Sequence, residues 1–368
     1  MKRKILFTSV CLSLAIAFFA ITREWPHSKG NSTSPIFNSS VNTYPRPLNI
    51  YPKTPFKELI LPQGQSLSPH APSIVEFPDG ELFTAWHAPT PQGSDGAIWS
   101  SRKPIGAHEW AVPSIICDTI GLADKNPALY MSQDKKLWLF WTVAQRQSKW
   151  HADIVRVKVS KDLGHTWSEA HDLGTPTGFL TRTHPIRLHD GRVILPLYVD
   201  WSASSAVVIS RDDGLTWGKP RYIIFFLGTQ PTMIQRSDLS LFTLMRSGMW
   251  PRRSWQAISD DLGRSWKDRR ISGVNNPGSS LDMVKLRSGR VALVFNDSKI
   301  SRSNLSLALS DDEGRTWPYV KIIEDKPDSS YSYPSIIQDR YGLIHVVYSY
   351  NNQNNIAHFV TDEGWIKG

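Results

Sequence analysis

A chain of 368 residues with 40% hydrophobic content can bury a sizeable core, as one large domain or two to three ordinary ones. Its 23 glycines, 25 prolines and 15 tryptophans point to turn-rich, aromatic-rich β structure. The formal net charge of +9 favours an acidic partner, but the Lys and Arg residues are scattered without a long run, which argues against nucleic acid.

The chain opens on Lys2-Arg3-Lys4, followed by an apolar stretch from Ile5 to Thr22 that Arg23 and Glu24 close. Residues 1–24 therefore read as a signal peptide or membrane anchor. Phe18-Phe19-Ala20 puts a bulky residue at the first small position of a cleavage site, which favours an uncleaved anchor. The body is then exported, periplasmic or extracellular, and held to the membrane by residues 5–22. Residues 25–55 carry polar tracts and prolines at 26, 35, 45, 47, 52 and 55, the composition of an extended, disordered linker. Cys11 lies in the apolar run, so Cys117 is the one thiol of the folded part. That excludes an internal disulfide there and a thiolate metal cluster.

From residue 56 onward a repeat takes over. Phe56 to Leu61 reads as a lone strand. Six prolines, at 72, 127, 185, 231, 277 and 334, then each open an apolar strand. Hairpin signals such as Pro78-Asp79-Gly80, Asp190-Gly191 and Ser288-Gly289 follow most of them, and a second apolar strand follows the hairpin. Four units then carry one pattern, Ser-x-Asp-x-Gly-x-Thr/Ser-Trp, at Ser160 to Trp167, Ser210 to Trp217, Ser259 to Trp266 and Ser310 to Trp317. Their tryptophans stand 50, 49 and 51 residues apart. Ser and Asp side chains accept backbone N–H bonds and tighten a turn, Gly supplies positive φ, and Trp plugs the space beneath. Degenerate copies at Trp110 and at Thr361 to Trp365 bring the count to six.

Six four-stranded units at one period predict an all-β, six-bladed β-propeller over residues 56–368. Only three residues follow Trp365, so the last blade lacks an outer strand. Residues 56–61 supply it and close the ring, protecting both edges.

The four Asp boxes, with His70-Ala71-Pro72, Asn275-Asn276-Pro277 leading to Leu281-Asp282, Asn296-Asp297-Ser298 and Tyr333-Pro334-Ser335, resemble the sialidase superfamily. Within it the chain is most similar to the bacterial BNR-repeat group of predicted neuraminidases, over roughly residues 60–366. The resemblance implies that the boxes are outer-rim turns and that chemistry belongs at the axial mouth. Before the inner-strand prolines stand His70, Asn126, His184, Gln230, Asn276 and Tyr333. After the second strands come Trp86 and His87, Trp141, Tyr198 with Asp200 and Trp201, Arg246, Asn296 with Asp297, and Tyr348. Such His, Tyr, Asp, Arg and aromatic residues suit a sugar: stacking faces, hydrogen-bond partners and proton carriers.

Sialidases clamp the sialate carboxylate with three arginines, activate a Tyr nucleophile with a Glu and use an Asp as acid/base. Carried over, the resemblance makes Asp95 the acid/base, Arg246 a clamp member and Tyr333 or Tyr348 the nucleophile. Arg182 and Arg253 are looser clamp candidates. The family's early Arg-Ile-Pro is replaced by His70-Ala71-Pro72. The expected catalytic set is Asp95, Tyr333, His70 and Arg246, with His184, Tyr198, Asn276, Asp282, Asn296, Trp86 and Tyr348 binding substrate. No metal or cofactor is called for, and a monomer is expected.

Three functions follow. The first is removal of a terminal acidic sugar by a sialidase-type glycosidase. The second is a uronate polysaccharide lyase using His70 or His184 with Tyr198 for proton transfer and Arg246 for the carboxylate. The third is a non-catalytic glycan-binding propeller with Trp86, Trp141, Trp201 and Trp250 as platforms. All three take a carbohydrate partner, preferably anionic.

Overall fold

The computed structural model describes residues 54–61, 68–91, 96–144, 153–248 and 251–368. The expected signal or anchor, and the linker as far as residue 53, lie outside the described residues. Among the described residues no helix is long and apolar enough to cross a membrane.

Six antiparallel sheets, one per blade, follow in chain order. Blade 1 holds β2 (His70–Glu76), β3 (Leu82–Ala88), β4 (Ala97–Lys103) and β5 (Ser114–Cys117). Blade 2 holds β6 (Ala123–Met131), β7 (Leu137–Ala144), β8 (Ile154–Ser160) and β9 (His171–Asp172). In blade 3 the inner strand is broken into β10 (Leu180–Thr181) and β11 (Ile186–Arg187), both paired with β12 (Val193–Val199), followed by β13 (Ser204–Ser210) and β14 (Arg221–Ile224). Pro185 has no N–H to donate, so the ladder lapses between the two pieces.

Blade 4 holds β15 (Gly228–Gln235), β16 (Leu241–Ser247), β17 (Arg253–Ser259) and β18 (Lys267–Asn275). Blade 5 holds β19 (Asp282–Lys285), β20 (Val291–Phe295), β21 (Asn304–Ser310) and β22 (Tyr319–Asp325). Blade 6 takes three strands from the C-terminus, β23 (Ser332–Gln338), β24 (Ile344–Tyr350) and β25 (Asn355–Thr361), and its outer strand from β1 (Phe56–Leu59). The pairing runs from Phe56↔Val360 to Leu59↔Ala357, so the ring closes with the predicted segment.

Most inner and middle strands are apolar on both faces because each is covered by a neighbouring blade. The core is correspondingly a chain of clusters between blades. Phe140 and Val157 of blade 2, for example, pack with Leu195, Leu197 and Ala206 of blade 3. Burying one such side chain contributes about 1.5–3 kcal/mol.

Each Asp box folds alike. In the blade 5 copy the Ser310 hydroxyl donates to Asp312 Oδ1 and accepts from Gly314 N, while Asp312 accepts from Thr316 N and Thr316 Oγ1. Blades 2, 3 and 4 repeat these bonds. The boxes are thus turns held by their own side chains, and they also interlock blades. Gly314, at φ +85°, lies so close to blade 4 that a Cβ there would meet Phe242 Cε1 at 2.6 Å. The degenerate copy at the C-terminus forms a short helix instead, α1 (Glu363–Lys367), with Asp362 capping it by accepting from Trp365 N.

Closure is reinforced by charge. Glu58 of β1 accepts from Lys103 Nζ at 2.6 and 2.7 Å and from Trp110 Nε1 at 3.0 Å, both on blade 1, and lies 2.7 Å from His358 Nδ1 on β25. Lys57 reaches across to Glu324 of blade 5 at 2.7 Å. One four-residue strand therefore joins blades 5, 6 and 1.

Candidate active site

Four inner strands begin with the same irregularity. Ala71, Asn126, Gln230 and Tyr333, each immediately before a proline, adopt left-handed φ of 52°, 53°, 51° and 52°. At each the ladder slips, leaving a bulge in β2, β6, β15 and β23. The residue before proline is barred from the right-handed helical region, and a left-handed non-glycine residue costs on the order of 1–3 kcal/mol. Bulges re-aim side chains. Here they help bring Asn126, Gln230 and Tyr333 together with residues of other blades.

The resulting cluster is continuous. Asn126 Nδ2 donates to the Tyr198 hydroxyl at 3.1 Å, and Asn126 N donates to His87 Nδ1 at 3.2 Å. Arg246 Nη1, at the end of β16, donates to Gln230 Oε1 and to the Tyr333 hydroxyl, each at 3.3 Å. The Tyr333 ring lies 4.1 Å from the His70 ring, with the guanidinium carbons of Arg182 and Arg302 at 5.3 and 5.7 Å from its centre. His70 in turn meets His87 edge-on and places Nδ1 3.1 Å from Ser349 Oγ.

Arg182 is the fixed centre of this arrangement. It is buried in the break of the blade 3 inner strand and donates to Ser280 Oγ, Pro72 O and Pro334 O, from blades 5, 1 and 6. Its charge therefore ties blades together beneath the Tyr333 ring. Arg246 and Arg302 are left as the two guanidiniums at the hydroxyl side.

This concentration of cations sets the protonation states. Burial works to raise the Tyr333 phenol, but Arg246 and Arg302 outweigh it and hold its pKa below the ordinary tyrosine value. Burial, helped by His87 and the three arginines, pushes His70 down to about 2. His87 falls to about 3, chiefly through burial, with Lys125 and Arg182 adding to it. Tyr198 moves the other way, raised by burial. At neutral pH both histidines are neutral, Tyr198 is a phenol, and Tyr333 is the most acidic of the hydroxyls.

Of the expected residues that are described, the structure brings His70, Tyr198, Arg246 and Tyr333, with the clamp candidate Arg182, into this one cluster. The other described ones lie apart from it. His184 lines a different cavity, of about 680 Å³, at the hairpin ends of the inner strands of blades 3, 4 and 5. Its Nδ1 lies 3.2 Å from Asp282 Oδ2, and although burial alone would lower it, this carboxylate raises its pKa. Asp282 is fully buried and accepts from Thr232 Oγ1, Met283 N and Ile336 N, so it fastens three inner strands. Asn276 folds a turn, bonding Gly278 N, Ser279 N and Ser279 O. Asn296 is buried against the Tyr331 and Asn304 carbonyls.

Trp86 packs in the core with Ile74 and Val347, and Trp141 is held in the core by Asp124. Tyr348 is buried with its hydroxyl 2.5 Å from Glu324, away from the cluster. Of the two tyrosines proposed as nucleophile, Tyr333 is the one among the arginines. Arg253 is exposed on β17. Asp95 and Trp250 lie outside the described residues.

Arg302 was missed. It occupies the loop after the second strand of blade 5, as Arg246 ends the second strand of blade 4, but Asn296 and Asp297 drew attention to the start of that loop. The equivalence to Arg246 was the available signal. Among the described residues no group of three or more His, Cys, Asp or Glu side chains is placed to hold a metal ion.

Residues 80–346 match the family profile described as the BNR repeat-like domain. A sialidase of Micromonospora viridifaciens is 23% identical over 322 residues, covering 74% of this chain, and the chain spans about half, 49%, of that relative's length. Among solved structures the Hadza microbial sialidase Hz136 superposes with a TM-score of 0.72 at 18% identity, covering 84% of this chain and 69% of that one. A Penicillium chrysogenum α-L-arabinanase superposes with a TM-score of 0.64 at 16% identity, covering 85% of this chain and all of the other. These structures share the propeller while differing in named activity, so the fold alone does not choose the reaction. With its family profile spanning most of the propeller, the chain belongs to the BNR repeat-like domain family.

Proposed function

We propose that the protein removes a terminal carboxylated sugar from a glycan, with Tyr333 as nucleophile. The observation that carries this is the Tyr333 hydroxyl, 3.3 Å from Arg246 Nη1, on a phenol made more acidic by Arg246 and Arg302. Two guanidiniums on one side of a reactive hydroxyl suit a sugar whose carboxylate is attached next to the bond being cleaved. Tyr333 Oη bonds to the anomeric carbon and its proton passes to solvent, while the bond to the leaving oxygen breaks. Asp95 protonates that oxygen. Water then cleaves the glycosyl–tyrosine bond and regenerates the phenol.

The lyase reading loses its base. A histidine with a pKa near 2 accepts a proton poorly, Tyr198 is a weaker acid than usual, and His184 lies in the other cavity. Binding without turnover has one observation in its favour: the Tyr333 hydroxyl is bonded by Arg246 and the Gln230 amide, and no carboxylate bonds it among the described residues.

The test is turnover of a panel of fluorogenic acidic glycosides, with products identified by mass. Wild type is expected to release the acidic sugar, and Tyr333→Phe to lose at least 100-fold in kcat while keeping its circular dichroism spectrum. Binding of the panel without release by wild type, or an unchanged rate in Tyr333→Phe, would overturn the proposal.

A further inference from the structure

Four aromatic side chains stand exposed in one stretch of blade 3 and its exit: Trp201, Tyr222, Phe225 and Phe226, at 60%, 38%, 52% and 63% of full exposure. Among the described residues no other Trp, Tyr or Phe is exposed to this degree. Large exposed apolar groups scattered singly need no explanation, but a contiguous set marks a binding surface.

Three of the rings form one row, and backbone bonds join the loop of Trp201 to it. The Tyr222 and Phe225 rings stack at 4.2 Å and 28°, Phe226 continues the row at 6.3 Å from Phe225, and buried Phe179 backs Tyr222 at 5.9 Å. Phe226 N donates to Ser202 O at 3.1 Å and Gly228 N to Ala203 O at 3.0 Å, which ties the loop carrying Trp201 to the loop carrying the phenylalanines. Phe226 is itself held at a φ of 62°, a conformation that a bulky residue adopts only when its surroundings impose it. The row is therefore built, not left over.

Its place points to its ligand. Trp201 comes three residues after Tyr198, and Phe226 four residues before Gln230, both members of the cluster at the axial mouth. The two loops thus lie on the mouth side of the propeller, between blades 3 and 4, leading outward from the site. Asp200, next to Trp201 in the chain, is exposed and gives the row a polar margin. Flat aromatic faces with hydrogen-bonding groups at their edge match the C–H faces and hydroxyls of pyranose rings.

We propose that Trp201, Tyr222, Phe225 and Phe226 form a platform for the neutral sugar residues that follow the terminal acidic sugar in the glycan. The platform sets a preference for extended chains over small glycosides. This rests on the reading that the Tyr333 cluster takes the terminal acidic sugar.

The test compares kcat/KM on a fluorogenic acidic monosaccharide with kcat/KM on glycans bearing the same terminal sugar on one, two and four neutral residues. In wild type the ratio of extended to small substrate is expected to rise with length. In Phe225→Ala and Phe226→Ala it is expected to fall about tenfold. A ratio that does not change with length, or that both variants leave unaltered, would sink the platform. Saturation-transfer NMR with the neutral oligosaccharide alone separates the two proposals. If no glycoside is turned over but the neutral chain binds wild type and not Phe226→Ala, the platform stands and the hydrolase reading falls. Loss in Phe226→Ala of binding to phosphatidylcholine vesicles, or of self-association in sedimentation, with no saturation transfer from the sugar, overturns the platform in favour of a bilayer or a second copy.

Discussion

The Tyr333 hydroxyl meets a guanidinium and an amide where the sialidase resemblance leads one to expect a carboxylate. Gln230 occupies that place, bonded to Arg246 and to the phenol, so the acidity of Tyr333 is set against burial by the charges of Arg246 and Arg302, with the neutral Gln230 amide adding a hydrogen bond. A glutamate at 230 keeps the length of the side chain and adds a group able to accept the phenolic proton. Gln230→Glu is therefore expected to raise kcat on acidic glycosides, on the order of tenfold or more, as a positioned general base does. Steady-state kinetics decide it; a folded Gln230→Glu protein with unchanged or lower kcat would speak against Tyr333 as nucleophile. The sequence carried this cluster only in part. His70, Arg246 and Tyr333 stood out by position beside a proline or a strand end. Gln230 stood before a proline but was not among the expected site residues, because an amide there caps a strand or faces a site until its neighbours across the axis are known. Trp86 and Tyr348 were misleading for a related reason. A strand end points a side chain to the axis or into the space between blades, and a slip of one residue decides which.

At the scale of the element, β1 contributes four residues of pairing and a disproportionate share of charge. Glu58 joins Lys103 and Trp110 of blade 1 to His358 of blade 6, and Lys103 and Glu58 are both largely buried, with side chains 5% and 12% exposed. Burial works to raise the Glu58 carboxyl, but His358 and Lys103 outweigh it and keep its pKa below the ordinary value. Neutralising one member of a buried pair leaves the other charge without compensation, a loss of about 3–5 kcal/mol. Glu58→Gln is expected to lower the urea midpoint accordingly and to loosen blade 6 first, visible as faster amide exchange in β1 and β25. A stability change under about 1 kcal/mol would mean that apolar packing between blades holds the ring without the pair. The closing strand itself was legible from arithmetic alone, since the last repeat stopped short and an unassigned strand stood at the front. Its charge network was not, because Glu58, Lys103 and His358 are far apart in sequence and meet only when the ring closes.

For the whole molecule, the repeat made the architecture readable and left proton balance hidden. Three histidines are held neutral by the fold: His70 at about 2, His87 at about 3 and His358 at about 4. Burial is the leading cause for each, with Glu58 opposing it at His358. In the unfolded chain each accepts a proton near pH 6.5. As pH falls below 6.5, the unfolded state therefore binds protons that the folded state refuses, and stability declines until each folded value is reached. His184, raised by Asp282, takes up its proton in the folded state above 6.5, so its stabilisation is complete by 6.5 and adds no slope below it. The depressed box carboxylates, such as Asp261 at about 2, act only below the ordinary aspartate value near 3.9 and leave this window untouched. The three depressed histidines therefore leave a net loss on acidification. With each uncompensated proton worth about 1.4 kcal/mol per pH unit, and the partly exposed His70 and His87 discounted for solvent, the slope is on the order of 1–2 kcal/mol per unit between about pH 6 and 4. Urea unfolding at pH 7, 6 and 5 measures it, and His70→Asn is expected to flatten the slope. Stability that holds level or rises across that range would show that the folded protein takes up these protons after all, and that the cationic mouth does not keep His70 and His87 neutral.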